Sequence, residues 1–228
     1  MNEERTMETQ SLYLTGVSNA RTLAGYRTQD GRAIRPHKLL RTCMLVKATP
    51  QDMDILVNQE HLGMIIDLRN NGGGLVDACV QMADLILPEG VVVSMRDKAG
   101  QTTEYTIDSE YYDVPMVVLV NGYSASASEI LSGAIRDTGE GTLVGTRTFG
   151  KGVVQSVIDF PDGSGLKVTT ARYFTPSGEC IHGVGIEPDV EVELDEDVVT
   201  RYGINNLPHE QDAQLQKAIE LIKSGEVQ

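Results

Sequence analysis

The chain of 228 residues has no Trp and only three Phe, so its core must be built from Val, Ile, Leu, Met and Tyr. It lacks any apolar run approaching the roughly 18 residues that a membrane-spanning helix needs. It also lacks positive charge: the formal net charge is −14. Nucleic acid and anionic membrane surfaces both select a basic footprint, so neither is expected as a partner. Cysteine is sparse as well. Cys43, Cys79 and Cys180 form no CxxC pair and their number is odd, which argues against a disulfide framework or a zinc site. They read as scattered buried thiols. Residues 1–10 are polar, without the apolar stretch of an export signal. A disordered lead-in with no address of its own is expected there, and the compartment stays open.

What charge there is lies unevenly. Residues 1–60 carry eight Lys/Arg against seven Asp/Glu, whereas residues 61–228 carry eleven against twenty-six. The shift falls close to a change in motif content.

Residues 12–42 are punctuated by Gly16, Asn19, Gly25, Asp30-Gly31 and Pro36 and read as irregular. Thr49-Pro50 begins a short helix running to about Gln59. Met64–Leu68 is predicted as a buried strand, Leu75–Leu87 as a helix ended by Pro88, and Val91–Arg96 with Thr102–Ile107 as a hairpin. Met116–Val120, five apolar residues in a row, is the pattern of a strand covered on both faces. A helix from Ser126 to about Asp137 follows. Then come strands at Thr142–Gly145, Val153–Asp159, Leu166–Tyr173 and Val190–Leu194, and an amphipathic helix over Gln211–Lys223. Strands and helices interleave from residue 64 onward, which makes the class α/β.

The chemistry concentrates in three loops. In the first, a buried strand breaks at Asn121-Gly122, and a helix begins within six residues through Ser124-Ala125-Ser126-Ala127-Ser128-Glu129. Ser126 and Glu129 fit a capping box, placing Ser126 at the helix mouth, where the first amides lack intrahelical partners. A serine so placed can attack a carbonyl while the Ala127 amide stabilises the oxyanion. Taken alone, Ser-x-x-Glu is better explained by routine helix capping.

The second loop, Thr148-Phe149-Gly150-Lys151-Gly152, offers a base. A lysine accepts a proton only when uncharged, which burial favours, and Phe149, Val153 and Val154 would supply apolar surroundings. Lys151, Val153 and Gln155 alternate along a predicted strand, so Gln155 is placed to hold the amine. A surface lysine in a glycine-rich turn is the competing view, and His182 is not excluded as a base by spacing. The third loop, Asn71-Gly72-Gly73-Gly74, lies between a buried strand and a helix and can present a bare amide. It is not a phosphate loop, since no Gly-Lys-Ser/Thr follows and the Rossmann spacing is absent.

Together these residues resemble the carboxyl-terminal processing peptidases, or tail-specific proteases, over about residues 64–194. Asp67-Leu68-Arg69-Asn70-Asn71-Gly72-Gly73-Gly74 is similar to that family's oxyanion loop, Ser124–Glu129 to its nucleophile motif and Thr148–Gly152 to its lysine motif. Thr170–Gly178 and Gly185-Ile186-Glu187-Pro188-Asp189 add to the likeness. Many members carry Pro where this chain has Gly72. The resemblance implies a ClpP/crotonase-like core with Ser126 as nucleophile, Lys151 as general base at the family's spacing of 25 residues, and Gln155 positioning the lysine. The amides of Gly74 and Ala127 would form the oxyanion hole. It implies a serine endopeptidase acting near protein C-termini through an acyl-enzyme, with peptide or unfolded protein as substrate and no metal or organic cofactor. The family is mostly extracytoplasmic.

Upstream the likeness fails. Residues 1–63 contain nothing like a PDZ domain; residues 12–69 instead resemble the start of bacterial dual-specificity tyrosine phosphatases, so the chain reads as a chimera. A working phosphatase needs Cys-x5-Arg, but Cys43, Cys79 and Cys180 are followed at that spacing by Thr49, Leu85 and Ile186. Three units are expected: the N-terminal segment 1–63, a catalytic core 64–195 and a helical tail 196–228. The alternatives to an active peptidase are an impaired peptidase fold that binds peptides, a phosphatase-like fragment, and an acyl-CoA enzyme of crotonase type.

Overall fold

A computed structural model describes residues 62–108 and 110–227, together with the main chain of Arg21–Thr22 and Leu39–Thr42. The expected helix at Thr49–Gln59 and most of the phosphatase-like stretch lie outside the described residues. Two sheets organise the molecule. The larger has six strands in the order β1-β2-β3-β6-β7-β10: β1 (Arg21–Thr22), β2 (Leu39–Thr42), β3 (Gly63–Asp67), β6 (Met116–Val120), β7 (Gly141–Gly145) and β10 (Val190–Glu191). All its neighbours are parallel except β1 and β2. The smaller sheet is antiparallel, in the order β5-β4-β9-β8: β4 (Gly90–Asp97), β5 (Thr102–Ile107), β8 (Val153–Asp159) and β9 (Gly165–Phe174). The class is α/β, as predicted, and mixed in its sheets.

The apolar run of β6 has the cause expected of it. Met116, Val118 and Val120 face helices α1 (Val76–Ile86) and α2 (Ala127–Thr138) in one core. Val117 and Leu119 face the opposite way, into a second core closed by α4 (Ala213–Ser224) through Leu215, Ala218, Ile219 and Ile222. Alternate side chains of one strand thus fill two cores, so no position is free to be polar. Strand β3 repeats the pattern, with Met64 and Ile66 on one side and Ile65 on the other. Each such fully buried aliphatic contributes about 1.5–3 kcal/mol. The parallel arrangement brings the C-terminal ends of β3 and β6 together, and the Asn70–Gly74 and Asn121–Ser126 loops leave from those ends.

Two expectations about the C-terminal part need adjusting. The strand foreseen over Val190–Leu194 is only Val190–Glu191, because its partner β7 ends at Gly145; one more bond, Val192 N–H to the Gly145 carbonyl (2.9 Å), closes the pairing. A short helix α3 (Glu196–Tyr202) follows, inside the stretch 196–228 expected to be helical but not singled out there, although its signals are present. Asp195 caps it by accepting from the amides of Asp197 and Val198, and Gly203 ends it.

Candidate active site

Ser126 stands at the junction of β6 and α2 with φ 58° and ψ −118°, a backbone conformation that non-glycine residues seldom adopt. Holding it costs on the order of 1–3 kcal/mol, and such strain collects at functional positions. It also sets Ser126 apart from its neighbours. Ser124 is fully buried, with its hydroxyl donating to the Leu68 carbonyl (2.7 Å) and accepting from the Asn121 amide (2.9 Å). Ser128 is buried too. Of the three alternating serines, only Ser126 reaches solvent. Its backbone is satisfied without the hydroxyl: its N–H donates to Glu129 Oε2 (2.9 Å), and its carbonyl accepts from the amides of Glu129 and Ile130.

Glu129, expected only as a helix-capping residue, proves to be the hub of the site. It is fully buried. Oε1 accepts from the Thr148 hydroxyl (2.6 Å) and the Gly150 amide (2.6 Å); Oε2 accepts from the amides of Lys151 (2.8 Å) and Ser126 (2.9 Å). One carboxylate therefore joins the serine turn to the lysine loop. Two donors to a single oxygen stand no more than about 6 Å apart, so the main chains of Ser126 and Lys151 are neighbours. A further bond from the Phe149 amide to the Ser124 carbonyl (3.0 Å) sews the same two loops. Thr148 anchors the far side, its N–H donating to the Ile186 carbonyl (3.0 Å) and its hydroxyl accepting from the Ile186 amide (2.7 Å).

Lys151 is half-buried. Phe149 does not shelter it as expected, being 62% exposed, while Val153 and Val154 are half-buried. The glycines flanking the lysine allow the close approach foreseen for them. Gly150, at φ +87°, leaves room for the amide of Gly185, and Gly152 packs on the main chain of His182. His182 therefore lies beside the lysine loop, with its own side chain exposed. Gln155 sits two residues into β8 and is exposed.

The glycine loop is brought against the serine turn. At Gly73, with φ +91°, a Cβ would stand 2.5 Å from the Ala125 carbonyl oxygen and 2.7 Å from the Ala127 nitrogen. The contact residue is thus Gly73, one position before the expected donor. The Gly73 amide is already committed to Asn71 Oδ1 (3.0 Å). Gly74 follows it with open space around its Cα. Asn70, at φ 57°, and Asn121 fix the base of the loop: the Asn70 amide donates to Asn121 Oδ1 (3.0 Å), and the Asn121 side-chain amide donates to Asn70 Oδ1 (2.9 Å). The Ala125 amide donates to the Asn71 carbonyl (3.0 Å).

Beside Gly73, Gly74 and Ala127 opens an apolar pocket of about 170 Å³, walled by Leu68, Leu75, Cys79, Met82 and Leu131. Burial pushes the Cys79 thiol up to about 12, so it stays protonated at neutral pH and donates to the Ala127 carbonyl (3.3 Å). Cys180, by contrast, is half-buried.

A family model for peptidase family S41 matches residues 47–192, well over half of the chain. The chain belongs to peptidase family S41. It is 45% identical over 148 residues to a chloroplastic C-terminal processing peptidase of Tetradesmus obliquus, covering 64% of this chain and 32% of that protein. A carboxyl-terminal-processing protease of Synechocystis sp. is 44% identical over 164 residues, covering 72% and 37%. A solved photosystem II D1 C-terminal processing protease superposes with a TM-score of 0.65 at 36% identity, over 89% of this chain and 53% of that one. Mature CPAF, at 15% identity, shares the fold with a TM-score of 0.69. The chain spans about a third of the length of the curated relatives it matches. No described helix is long and apolar enough to cross a membrane.

Proposed function

We propose that this S41 chain carries the hydrolytic site of a serine endopeptidase that cuts polypeptides near their C-termini, with Ser126 as nucleophile and Lys151 as general base. The observation that carries this reading is the shared acceptor: Ser126 N–H and Lys151 N–H both end on Glu129 Oε2. A lysine's four-carbon stem is long enough to cross a gap of that size between the two main chains. The Tetradesmus and Synechocystis relatives and the photosystem II D1 protease are named as C-terminal processing enzymes, which supports the substrate class.

In this mechanism Ser126 Oγ bonds to the scissile carbonyl carbon while the Lys151 amine takes the hydroxyl proton. The Gly74 and Ala127 amides donate to the oxyanion, the first because the loop is open there and the second because it precedes the intrahelical ladder. The C–N bond then breaks and Lys151 returns the proton to the departing amine, leaving an ester on Ser126. Water, deprotonated by Lys151, hydrolyses that ester and restores the hydroxyl. The pocket between Leu75 and Leu131 takes the apolar side chain on the acyl side of the cut. Gln155, on the strand leading from the lysine, would orient the amine once a peptide covers the site.

The test compares Ser126→Ala, Lys151→Ala and His182→Ala in peptide hydrolysis and in labelling by a fluorophosphonate. The first two are expected to lower turnover roughly 10⁴- to 10⁶-fold with the fold retained, as removal of a nucleophile or its base does. His182→Ala is expected to stay close to wild type. Loss of turnover in His182→Ala with retention in Lys151→Ala would assign the base to the histidine. Absence of labelling in the wild type would favour a peptide-binding module.

A further inference from the structure

The loop that carries Gly74 is held from a second direction, by a part of the chain beyond the family match. Arg69, the last residue before the loop, is buried with almost no exposed side chain. Its Nε and Nη2 donate to Asp67 (2.9 and 2.8 Å), and its Nη1 and Nη2 donate to the two oxygens of Asp212 (2.9 Å each). Nη1 also donates to Gln214 Oε1 (3.1 Å). Asp212 and Gln214 are both buried and belong to the start of α4, 143 and 145 residues away. Asp212 caps that helix by accepting from the Leu215 amide (3.0 Å), and Gln214 donates to the Val192 carbonyl (2.7 Å).

The geometry is more than helix docking requires. Two carboxylates surround one guanidinium in bidentate fashion, which fixes its plane as well as its place. Next to that plane the chain turns at Asn70 in a left-handed conformation into the glycine loop. Three flexible glycines cannot hold a donor amide by themselves. The base of the loop must be fixed: Asn121 holds Asn70 from the serine side, and the Arg69 clamp holds the residue before it from the side of α4.

We propose that Asp212, acting through Arg69, is a positioning residue for the Asn70–Gly74 loop, so that the C-terminal helix is part of the apparatus that aims an oxyanion donor. This rests on the Ser126 reading above for its catalytic consequence, though not for its structural one. Breaking a buried pair leaves Arg69 with one carboxylate and the loop free to shift; displacement of about 1 Å at a reacting centre costs up to about 100-fold.

The test uses Asp212→Asn in the full chain. Asn caps helices as well as Asp, so the start of α4 is kept while the ion pair is lost. Expected are a 10- to 100-fold fall in the rate of fluorophosphonate labelling at Ser126 and in kcat, with KM changed less than threefold. Faster amide exchange at residues 70–74 is expected alongside. Asp195→Ala, which uncaps α3 on the surface, is the control and should leave labelling unaltered. Gln214→Leu, which removes the Nη1 acceptor but not the ion pair, serves if Asp212→Asn does not fold; a fall of threefold or more supports the proposal. Labelling and exchange within twofold of wild type, or equal losses in the Asp195→Ala control, would overturn it. Should the wild type itself fail to label, the Ser126 reading is lost, and amide exchange at 70–74 alone decides this proposal.

Discussion

Replacing Glu129 with Gln is the sharpest test of how the site is assembled. The carboxylate receives four donors, two on each oxygen, and no solvent reaches it. An amide can serve only two of them. If its nitrogen faces the Ser126 and Lys151 amides, two buried N–H groups lose their acceptor. If it faces Thr148 and Gly150, the Thr148 oxygen can accept from it, so only the Gly150 N–H is orphaned and the hydroxyl proton is left idle. The second orientation is cheaper. A buried donor without a partner costs about 1–3 kcal/mol, and the charge-assisted strength of the two remaining bonds is lost as well. The expected destabilisation is therefore about 2–4 kcal/mol, which for a chain of this size lowers Tm by about 5–15 °C.

That orientation keeps the Ser126 and Lys151 amides on one oxygen, so Glu129→Gln should retain a measurable fraction of fluorophosphonate labelling. Glu129→Ala, which releases both loops, should label at least about 100-fold more slowly. Thr148→Val removes a donor from the same carboxylate and leaves the Ile186 amide unsatisfied. Its effect should be non-additive with Glu129→Gln by about 1 kcal/mol or more in a double-mutant cycle. Thermal unfolding and labelling kinetics on the wild type, the three single variants and the double variant measure all of this. If Glu129→Gln melted within a degree or two of wild type and Glu129→Ala labelled normally, the carboxylate would not be what holds serine and lysine together.

Other expectations are simpler to check. Gly73→Ala forces a Cβ to within 2.5 Å of the Ala125 carbonyl and requires φ near +91°, so it should cost at least about 2 kcal/mol in chemical denaturation and slow labelling more than Gly72→Ala, whose site is open. Leu131→Phe narrows the 170 Å³ pocket, and kcat/KM for a peptide with Leu on the acyl side should fall about 10- to 100-fold relative to one with Ala. Parity between the two peptides would remove the pocket from substrate selection.

The parts of the fold written in local pattern were legible. Helix α1 lies within one residue of the predicted Leu75–Leu87 at each end, because its apolar periodicity is regular and Pro88 closes it. The β4–β5 and β8–β9 strands were read nearly to the residue, since alternation and a Pro-Asp-Gly turn are contiguous signals. What escaped was every relation between distant residues. Glu129 has one local signature, the cap, and that signature is complete without the three donors arriving from residues 148–151. Likewise Asp212, which the predicted span Gln211–Lys223 places inside the helix, caps it in the structure, and nothing near it in the chain announces an arginine 143 residues back. In both cases the same carboxylate performs the local task and the distant one. A cap must be acidic or polar and must sit where the main chain turns, and in a parallel α/β sheet those turns gather at the ends of the strands where the site is built. Capping residues here are therefore placed beforehand to become clamps. Any acidic cap that is also fully buried has a second partner to be found, because a helix terminus alone does not repay the burial of a charge.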